Sequence, residues 1–359
     1  MNATSPYLHP AFTLNGTSFE TVEEFLLFAN ELEQEGYEHE VSIAKFIKRW
    51  YEPETHITVK TSGSTGRSKR ILLSKEAMVN SAKATGTFFK LAEKTSALLC
   101  LHPKFIAGKM MVVRAITLGW DLHVVAPEKD ALTQYDNDYD FVAMVPYQVH
   151  HSIEDLNKVK KLIVGGGPVS AELEQKLQDV NCEAFATYGM TETCTHVAIR
   201  RLNGPAASSL YSALPNVKFN TDERGCLVIT APDILTEAIT TNDLVDIKTP
   251  TSFVWLGRMD NVINSGGIKI FPETIEQKLV KSIELPFIIA SETDELLGER
   301  VILILEKAEE TALQNYSEAF STLESYERPK KIYTISKFPY TETGKIKRTD
   351  VIQLLKKYK

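Results

Sequence analysis

The run Thr61-Ser62-Gly63-Ser64-Thr65-Gly66-Arg67-Ser68-Lys69 gathers hydroxyls, small residues and an ammonium in one short stretch. Such a loop offers closely spaced backbone N–H groups beside a cation, a combination that holds a polyphosphate. It is not a Walker A loop, because that pattern places Gly directly before its Lys and this chain has Ser68 there. On its own the run would equally make a Gly/Ser turn. A second group, Tyr188-Gly189-Met190-Thr191-Glu192-Thr193, follows an expected strand. Its hydroxyl and carboxylate would then emerge at a strand's carboxyl end, where open α/β sheets bind ligands. Glu192 presents the hard oxygen donor that Mg2+ takes, and as a single residue it also fits an ordinary surface acid. Gly165-Gly166-Gly167-Pro168 ends another strand, where missing side chains let a flat ring lie against the backbone or simply let the chain turn. Farther along stand Asp243, then Arg258, Asp260, Gly266 and Gly267 in a Gly-rich run, and a basic stretch that contains Lys345.

Holding these groups together requires alternating strands and helices. Apolar residues at Val22, Phe25, Leu26, Ala29 and Leu32, and at Val41, Ala44 and Ile47, recur at three and four, which predicts two amphipathic helices before the first loop. From Thr55 short apolar strands near 58, 97–101, 123–126, 141–145, 162–164 and 184–187 alternate with helices at 74–91, 109–118 and 170–178, the last group capped by Ser74 and Ser170. This rhythm predicts an α/β domain with a mainly parallel sheet. From Val217 two short strands flank an Asp222-Glu223-Arg224-Gly225 turn, which predicts a β-rich subdomain. After Gly257 come a helix near Pro272, strands at 287–290 and 301–305, and a basic end, the pattern of a small α+β domain.

The chain has 359 residues, 43% hydrophobic and 24% charged, enough for more than one packed core and unlike a disordered chain. Its net charge of −7 argues against a nucleic-acid binder driven by phosphate contacts, while leaving a small anionic ligand open. Charge is segregated: residues 326–359 carry +7 and the rest −14, which suits either a solvated terminal helix or a basic lid over phosphates. Cys100, Cys182, Cys194 and Cys226 form no CxxC pair, so they read as buried or free thiols of a reducing cytosol, and a cytoplasmic location is expected. No basic-then-apolar leader opens the chain, and no stretch approaches the ~18 apolar residues of a membrane span. The sequons at Asn2 and Asn15 would matter only to a secreted chain.

In their fixed order, the run 61–69, the run 188–193, the run 257–273 and Pro339-Tyr340-Thr341-Glu342-Thr343-Gly344-Lys345-Ile346-Lys347-Arg348 resemble the adenylate-forming superfamily of acyl-CoA ligases, peptide-synthetase adenylation domains and luciferases. Asp243 and Arg258 stand fifteen residues apart, the usual gap between the ribose-binding acid and the arginine of that superfamily. The resemblance runs from about Ile57 to the C-terminus. It implies ATP, Mg2+ and coenzyme A as co-substrates and cofactor, with a small-molecule carboxylic acid as the other partner. Thr61, Ser62, Gly63, Ser64, Thr65, Gly66 and Lys69 would hold the β- and γ-phosphates. Gly165, Gly166, Gly167, Pro168 and Tyr188, with Gly189 and Met190 beside it, would enclose adenine. Thr191 and Glu192 would serve the α-phosphate and the metal, and Asp243 and Arg258 the ribose. Lys345 would be the catalytic lysine of adenylation, with Lys347 and Arg348 facing solvent or steering phosphates.

The same resemblance implies a domain at 1–257, a hinge at 258–262 centred on Asp260, and a mobile lid domain at 263–359 that brings Gly266 and Gly267 to the coenzyme A side. Asn261 stands where Asp is frequent, Asn242 where Gly is common, and Phe105 where His is frequent. The phosphate loop comes far earlier than in ordinary members, so much of the usual N-terminal subdomain is replaced by the two helices, leaving a flank that a second copy of the chain would cover as a homo-oligomer. Within the superfamily, the phrase from Tyr188 to Val197 is most similar to the o-succinylbenzoate:coenzyme A ligases of menaquinone biosynthesis. That acid has two carboxylates. Arg114 is the candidate for the remote one, with Lys109 competing and Phe105 and His196 as further acyl-side residues; a surface arginine and core aromatic residues remain the plain alternatives. Another aryl- or fatty-acyl-CoA ligase, a stand-alone adenylation domain, and a non-catalytic adenylate-binding regulator are the competing functions.

Overall fold

The computed structural model of the chain describes residues 7–60, 69–134, 136–280, 282–307, 316–340 and 346–358. Two short strands, β1 (Thr13–Leu14) and β2 (Thr17–Ser18), precede the two amphipathic helices α1 (Val22–Glu35) and α2 (Glu38–Tyr51). Thr21 caps α1 by accepting the Glu24 N–H, and the three-and-four repeat buries Phe25, Ala29, Ile43, Ala44, Ile47 and Trp50. Then follow β3 (His56–Lys60), β4 (Arg70–Ser74), α3 (Lys75–Phe89), β5 (Ser96–Leu99), α4 (Ile106–Leu118), β6 (Asp121–Val124), β7 (Tyr139–Met144), α5 (Pro146–His151), β8 (Val159–Val164), α6 (Ala171–Lys176), β9 (Glu183–Gly189), β10 (His196–Arg201) and β11 (Leu210–Ala213). The remainder comprises β12 (Lys218–Thr221), β13 (Cys226–Thr230), β14 (Ile239–Thr249), β15 (Ser252–Arg258), β16 (Ile263–Ser265), β17 (Ile268–Ile270), α7 (Pro272–Leu279), β18 (Phe287–Asp294), β19 (Gly298–Glu306), α8 (Ser317–Ser321), β20 (Lys331–Ile335) and α9 (Arg348–Tyr358).

The chain forms two compact units, one from residues 1–169, 176–218 and 229–239, the other from 170–175, 219–228 and 240–359. In the first, strands lie in the order β11-β10-β9-β8-β7-β5-β6-β1-β2. The six from β9 to β1 run parallel, and β2, β10 and β11 are antiparallel to their neighbours. Consecutive buried residues, Phe141 to Met144 and Leu162 to Val164, mark strands covered on both faces, as the α/β layering requires. The strands β3 and β4 stand apart as their own two-stranded antiparallel sheet, with Ile57 opposite Leu73; the sequence predicts a strand near Thr58 but none at 70–74. Residues 61–68 connect those strands, so the first Gly/Ser loop leads into β4 and not directly into a helix; α3 begins later, capped by the Ser74 hydroxyl.

In the second unit β12, β13, β14 and β15 are neighbours in that order, and the turn between β12 and β13 is closed by the Asp222 carboxylate, which accepts the Arg224 and Cys226 N–H groups. A separate sheet has the order β17-β16-β19-β18, with β20 parallel on β19. Its two faces carry two cores. Ile289, Val301, Leu303 and Leu305 pack with Ile275 and Leu279 of α7, while Ile288, Ala290, Ile302 and Ile304 pack with Val351 and Leu355 of α9. Alternation along β18 and β19 thus serves both faces, which is why these strands read as unbroken apolar runs.

Candidate active site

At the carboxyl ends of β8 and β9 the chain places the expected glycine-rich turn and the Tyr188 motif. Gly165 leaves β8 with its N–H donated to the Met144 carbonyl, and Gly166, Gly167 and Pro168 carry the chain away from the sheet. Thr187 donates its hydroxyl to the Val164 carbonyl at 3.2 Å, tying the two strand ends together. Tyr188 is half-buried, edge-on to Tyr211 with ring centres 6.0 Å apart. A Cβ at Gly189 would lie 2.2 Å from the Thr195 carbonyl oxygen, so the return into β10 admits only glycine there. The loop between is held from inside by Thr193, a residue to which the motif alone assigns no role: its buried hydroxyl accepts the Met190 N–H at 3.1 Å and lies 2.7 Å from the Thr195 carbonyl. Thr191 is left half-exposed and Glu192 exposed, the latter with no hydrogen bond or ion pair among the described residues. Thr61, Ser62, Gly63, Ser64, Thr65 and Gly66 lie outside the described residues, as does Lys345; Lys69 immediately precedes β4.

Cys194 follows in the same loop with a positive φ of 61°, and it is buried, like Cys100, Cys182 and Cys226. All four are free, and burial pushes the thiols of Cys100, Cys182 and Cys194 up to about 12. Since the thiolate is the reactive form, iodoacetamide at pH 7.5 is expected to leave the native protein unlabelled and to label four thiols in denaturant, a difference read by intact mass.

Behind the loop lies the acyl-side candidate Arg114. It is 1% exposed, and its guanidinium meets only neutral groups: Thr85 Oγ1 at 3.4 Å from Nε, Met111 Sδ at 3.5 Å from Nη1, and Thr195 Oγ1 and His196 Nδ1 each at 3.5 Å from Nη2. No carboxylate among the described residues pairs with it. These distances exceed the 2.7–3.2 Å of good N–H···O bonds, so the cation is buried and weakly satisfied. Burial pulls the guanidinium down to about 9, which leaves it charged at neutral pH. The structure therefore brings Arg114 and His196 together, and burial with the Arg114 charge holds the imidazole well below its ordinary pKa. Lys109 is engaged elsewhere, donating to the Pro103 and Lys104 carbonyls at 2.5 and 2.9 Å, and Phe105 caps the start of α4 beside Lys104 and His102.

In the second unit Asp243 and Arg258 are direct cross-strand partners on β14 and β15, Arg258 Nη1 standing 3.6 Å from Asp243 Oδ1. The fifteen-residue spacing is thus a hairpin register. Trp255 donates its indole N–H to the same oxygen at 3.3 Å, and Arg258 also meets Asp260 at 2.9 Å. Asn242 needs no left-handed backbone; its side chain joins Arg224 and Asp260. Gly266 and Gly267 turn β16 into β17 with φ of 57° and 83°. Tyr340 and Ile346 form a bridge and the Lys347 N–H donates to the Pro339 carbonyl.

Arg348 is not solvent-facing as the sequence suggests. It binds both oxygens of Glu276 at 2.6 and 2.7 Å and donates to the Ile289 carbonyl, while Glu276 accepts the Ile289 N–H at 2.6 Å. β18 is the edge of its sheet, and this ion pair supplies the hydrogen bonds that a further strand would give. Arg348→Met, which strands the Glu276 charge, is expected to cost about 3 kcal/mol in denaturant unfolding, and adding Glu276→Met should recover most of it.

The sequence matches the family of AMP-binding enzymes over residues 27–221, more than half of the chain. It is 23% identical over 324 residues to the 2-succinylbenzoate–CoA ligase of Enterococcus faecalis, covering 80% of this chain and 67% of that protein. It is 26% identical over 283 residues to the Haemophilus influenzae protein of the same name, covering 73% of this chain and 59% of that one, so the chain spans roughly three fifths to two thirds of these relatives' length. Among solved structures, the acyl-CoA synthetase (AMP-forming)/AMP-acid ligase II-like protein of Dyadobacter fermentans shares 35% identity at a TM-score of 0.62, over 92% of this chain and 98% of that one.

Proposed function

The chain belongs to the family of AMP-binding enzymes, and on that premise we propose that it joins a carboxylic acid, best o-succinylbenzoate, to coenzyme A for menaquinone synthesis. In the first step the acid's carboxylate oxygen bonds to the α-phosphorus of ATP, and pyrophosphate leaves. In the second the coenzyme A thiol attacks the acyl carbon, AMP leaves, and the thiol proton passes to solvent. Residues 61–66 and Lys69 bind the outer phosphates, Gly165 to Pro168 and Tyr188 to Met190 the adenine, Thr191 the α-phosphate, and Asp243 with Arg258 the ribose hydroxyls. The carboxylate of Glu192, exposed and unpaired among the described residues, suits a hard cation. Mg2+ held there with the nucleotide would neutralise charge on the phosphates. Lys345 carries its cation to the reacting carboxylate and α-phosphate. Residues 258–262, with Asp260, are the hinge between a domain at 1–257 and a lid at 263–359, and Gly266 and Gly267 line the coenzyme A side once the lid turns. Four buried thiols suit a reducing compartment and hence the cytoplasm.

The observation that carries the choice of acid is the buried Arg114 cation with no carboxylate partner among the described residues. A buried charge costs several kcal/mol unless paired, and the second carboxylate of a dicarboxylic acid would pair it. The test is pyrophosphate release from ATP and Mg2+ over a panel of acids, with and without coenzyme A. Turnover confined to o-succinylbenzoate and completed only with coenzyme A supports the proposal. Turnover with aryl or fatty monocarboxylic acids overturns the acid, and no turnover with any acid favours an adenylate-binding regulator.

A further inference from the structure

The four neutral groups around Arg114 form a network whose proton positions follow from its donors and acceptors. Thr85 Oγ1 lies 3.0 Å from the Ser81 carbonyl oxygen, which has no proton to give, so the hydroxyl donates there. That hydroxyl has one proton, and toward its other neighbours it can only accept. It therefore accepts from Arg114 Nε at 3.4 Å and from His196 Nε2 at 3.3 Å. His196 accordingly carries its proton on Nε2, and Nδ1 presents a bare lone pair to Arg114 Nη2 at 3.5 Å and to the Thr195 hydroxyl at 3.4 Å. Thr195 completes the ring, accepting from Arg114 Nη2 and donating to Nδ1. The depressed basicity of this fully buried imidazole agrees with a neutral ring.

A neutral acceptor has a particular value beside a buried cation. A carboxylate at position 196 would satisfy the guanidinium N–H groups and also cancel their charge, leaving nothing for a ligand. An imidazolium would repel the guanidinium, and an apolar ring would leave an N–H group orphaned. We propose that Thr85 and His196 act as positioning residues for Arg114: Thr85 fixes the Nε2–H form of His196, whose Nδ1 steadies the guanidinium while leaving its charge uncancelled for the second carboxylate of a dicarboxylic acid. This rests on the reading of Arg114 given above and names the residues that enforce its selectivity.

Asn and Asp have nearly the same shape and both place an oxygen where Nδ1 stands, Asn neutral and Asp anionic, so the pair separates charge reservation from packing. The readout is the ratio of kcat/KM for the dicarboxylic acid to that for the monocarboxylic acid of the same ring. His196→Asn is expected to lower that ratio by no more than about three-fold and His196→Asp by about thirty-fold or more, the change residing in KM for the dicarboxylic acid. Equal effects of Asn and Asp, or a loss carried by kcat for both acids alike, would overturn the proposal. Arg114→Met separates it from its premise. A selectivity lost in Arg114→Met but retained in His196→Asp sinks the role of His196 alone, while a selectivity kept in Arg114→Met sinks both. Independently of activity, histidine-labelled protein at pH 7 should show the His196 nitrogen signals of the Nε2–H form, converted to a mixture in Thr85→Val and kept in Thr85→Ser. An Nδ1–H form or an imidazolium in the unsubstituted protein would refute it.

Discussion

Replacing Lys345 with alanine is expected to slow adenylate formation about a hundred- to a thousand-fold, the range seen when one charge-stabilising donor is removed from a reacting centre. Thioester formation from a supplied acyl-adenylate should change by less than a factor of three. The asymmetry follows from where charge gathers. In the first step a carboxylate approaches an already anionic phosphate, and an ammonium between them lowers that barrier specifically. In the second step the phosphate has become part of the leaving group, and a thiol attacks carbon. Pyrophosphate exchange measures the first and release of AMP from synthetic acyl-adenylate the second. Equal losses in both would mean that one arrangement of the chain serves both steps and that the hinge assignment at 258–262 is wrong.

Arg114→Met is expected to raise KM for o-succinylbenzoate about a hundred-fold, equivalent to about 2.7 kcal/mol, and to leave KM for benzoate within a factor of three. The same change should make the ligand-free protein more stable. Arg114 buries a charge with no carboxylate partner among the described residues and makes only long hydrogen bonds, and replacing an uncompensated buried ion by an apolar side chain of similar length removes its desolvation cost. A rise of a few degrees in Tm together with the loss of dicarboxylate selectivity would identify a residue kept for its ligand at the expense of the fold. A fall in Tm with equal losses for both acids would assign Arg114 to packing.

Much of this is legible in the amino-acid sequence. Strong periodicity marks α1 and α2, and apolar runs mark β5, β7 and β8, since helices on both faces leave such strands no polar side. Asp243 and Arg258 are legible as a spacing, and that spacing is the register of one hairpin. Other features had no local signal. β1 and β2 are two residues each, too short for any period, and exist because β1 adds to the parallel edge at Asp121 and Leu122. β4 carries no separate signal, because its five residues abut the Ser74 cap without a break. Thr85 lies on a helix face that also buries Met78 and Ala82, and its meaning comes from His196, 111 positions away. In the sequence Arg348 is one more member of a basic tail, and only the fold brings it to Glu276, 72 positions earlier.

Among the described residues the hairpin β3–β4 pairs with no other strand, burying Ile57, Val59 and Leu73 on one side while Leu72 on the other is 68% exposed. Its five-residue strands carry the ends of the segment proposed to grip the outer phosphates of ATP. Two-stranded ribbons are the least self-sufficient of sheets, and their amides open to solvent without waiting for the rest of a protein to unfold. Deuterium should therefore enter β3 and β4 sooner than the interior of β7 and β8, and nucleotide should slow that entry most at the hairpin, so that the grip on phosphate is tightened by its own cargo while the parallel sheet stays as it was.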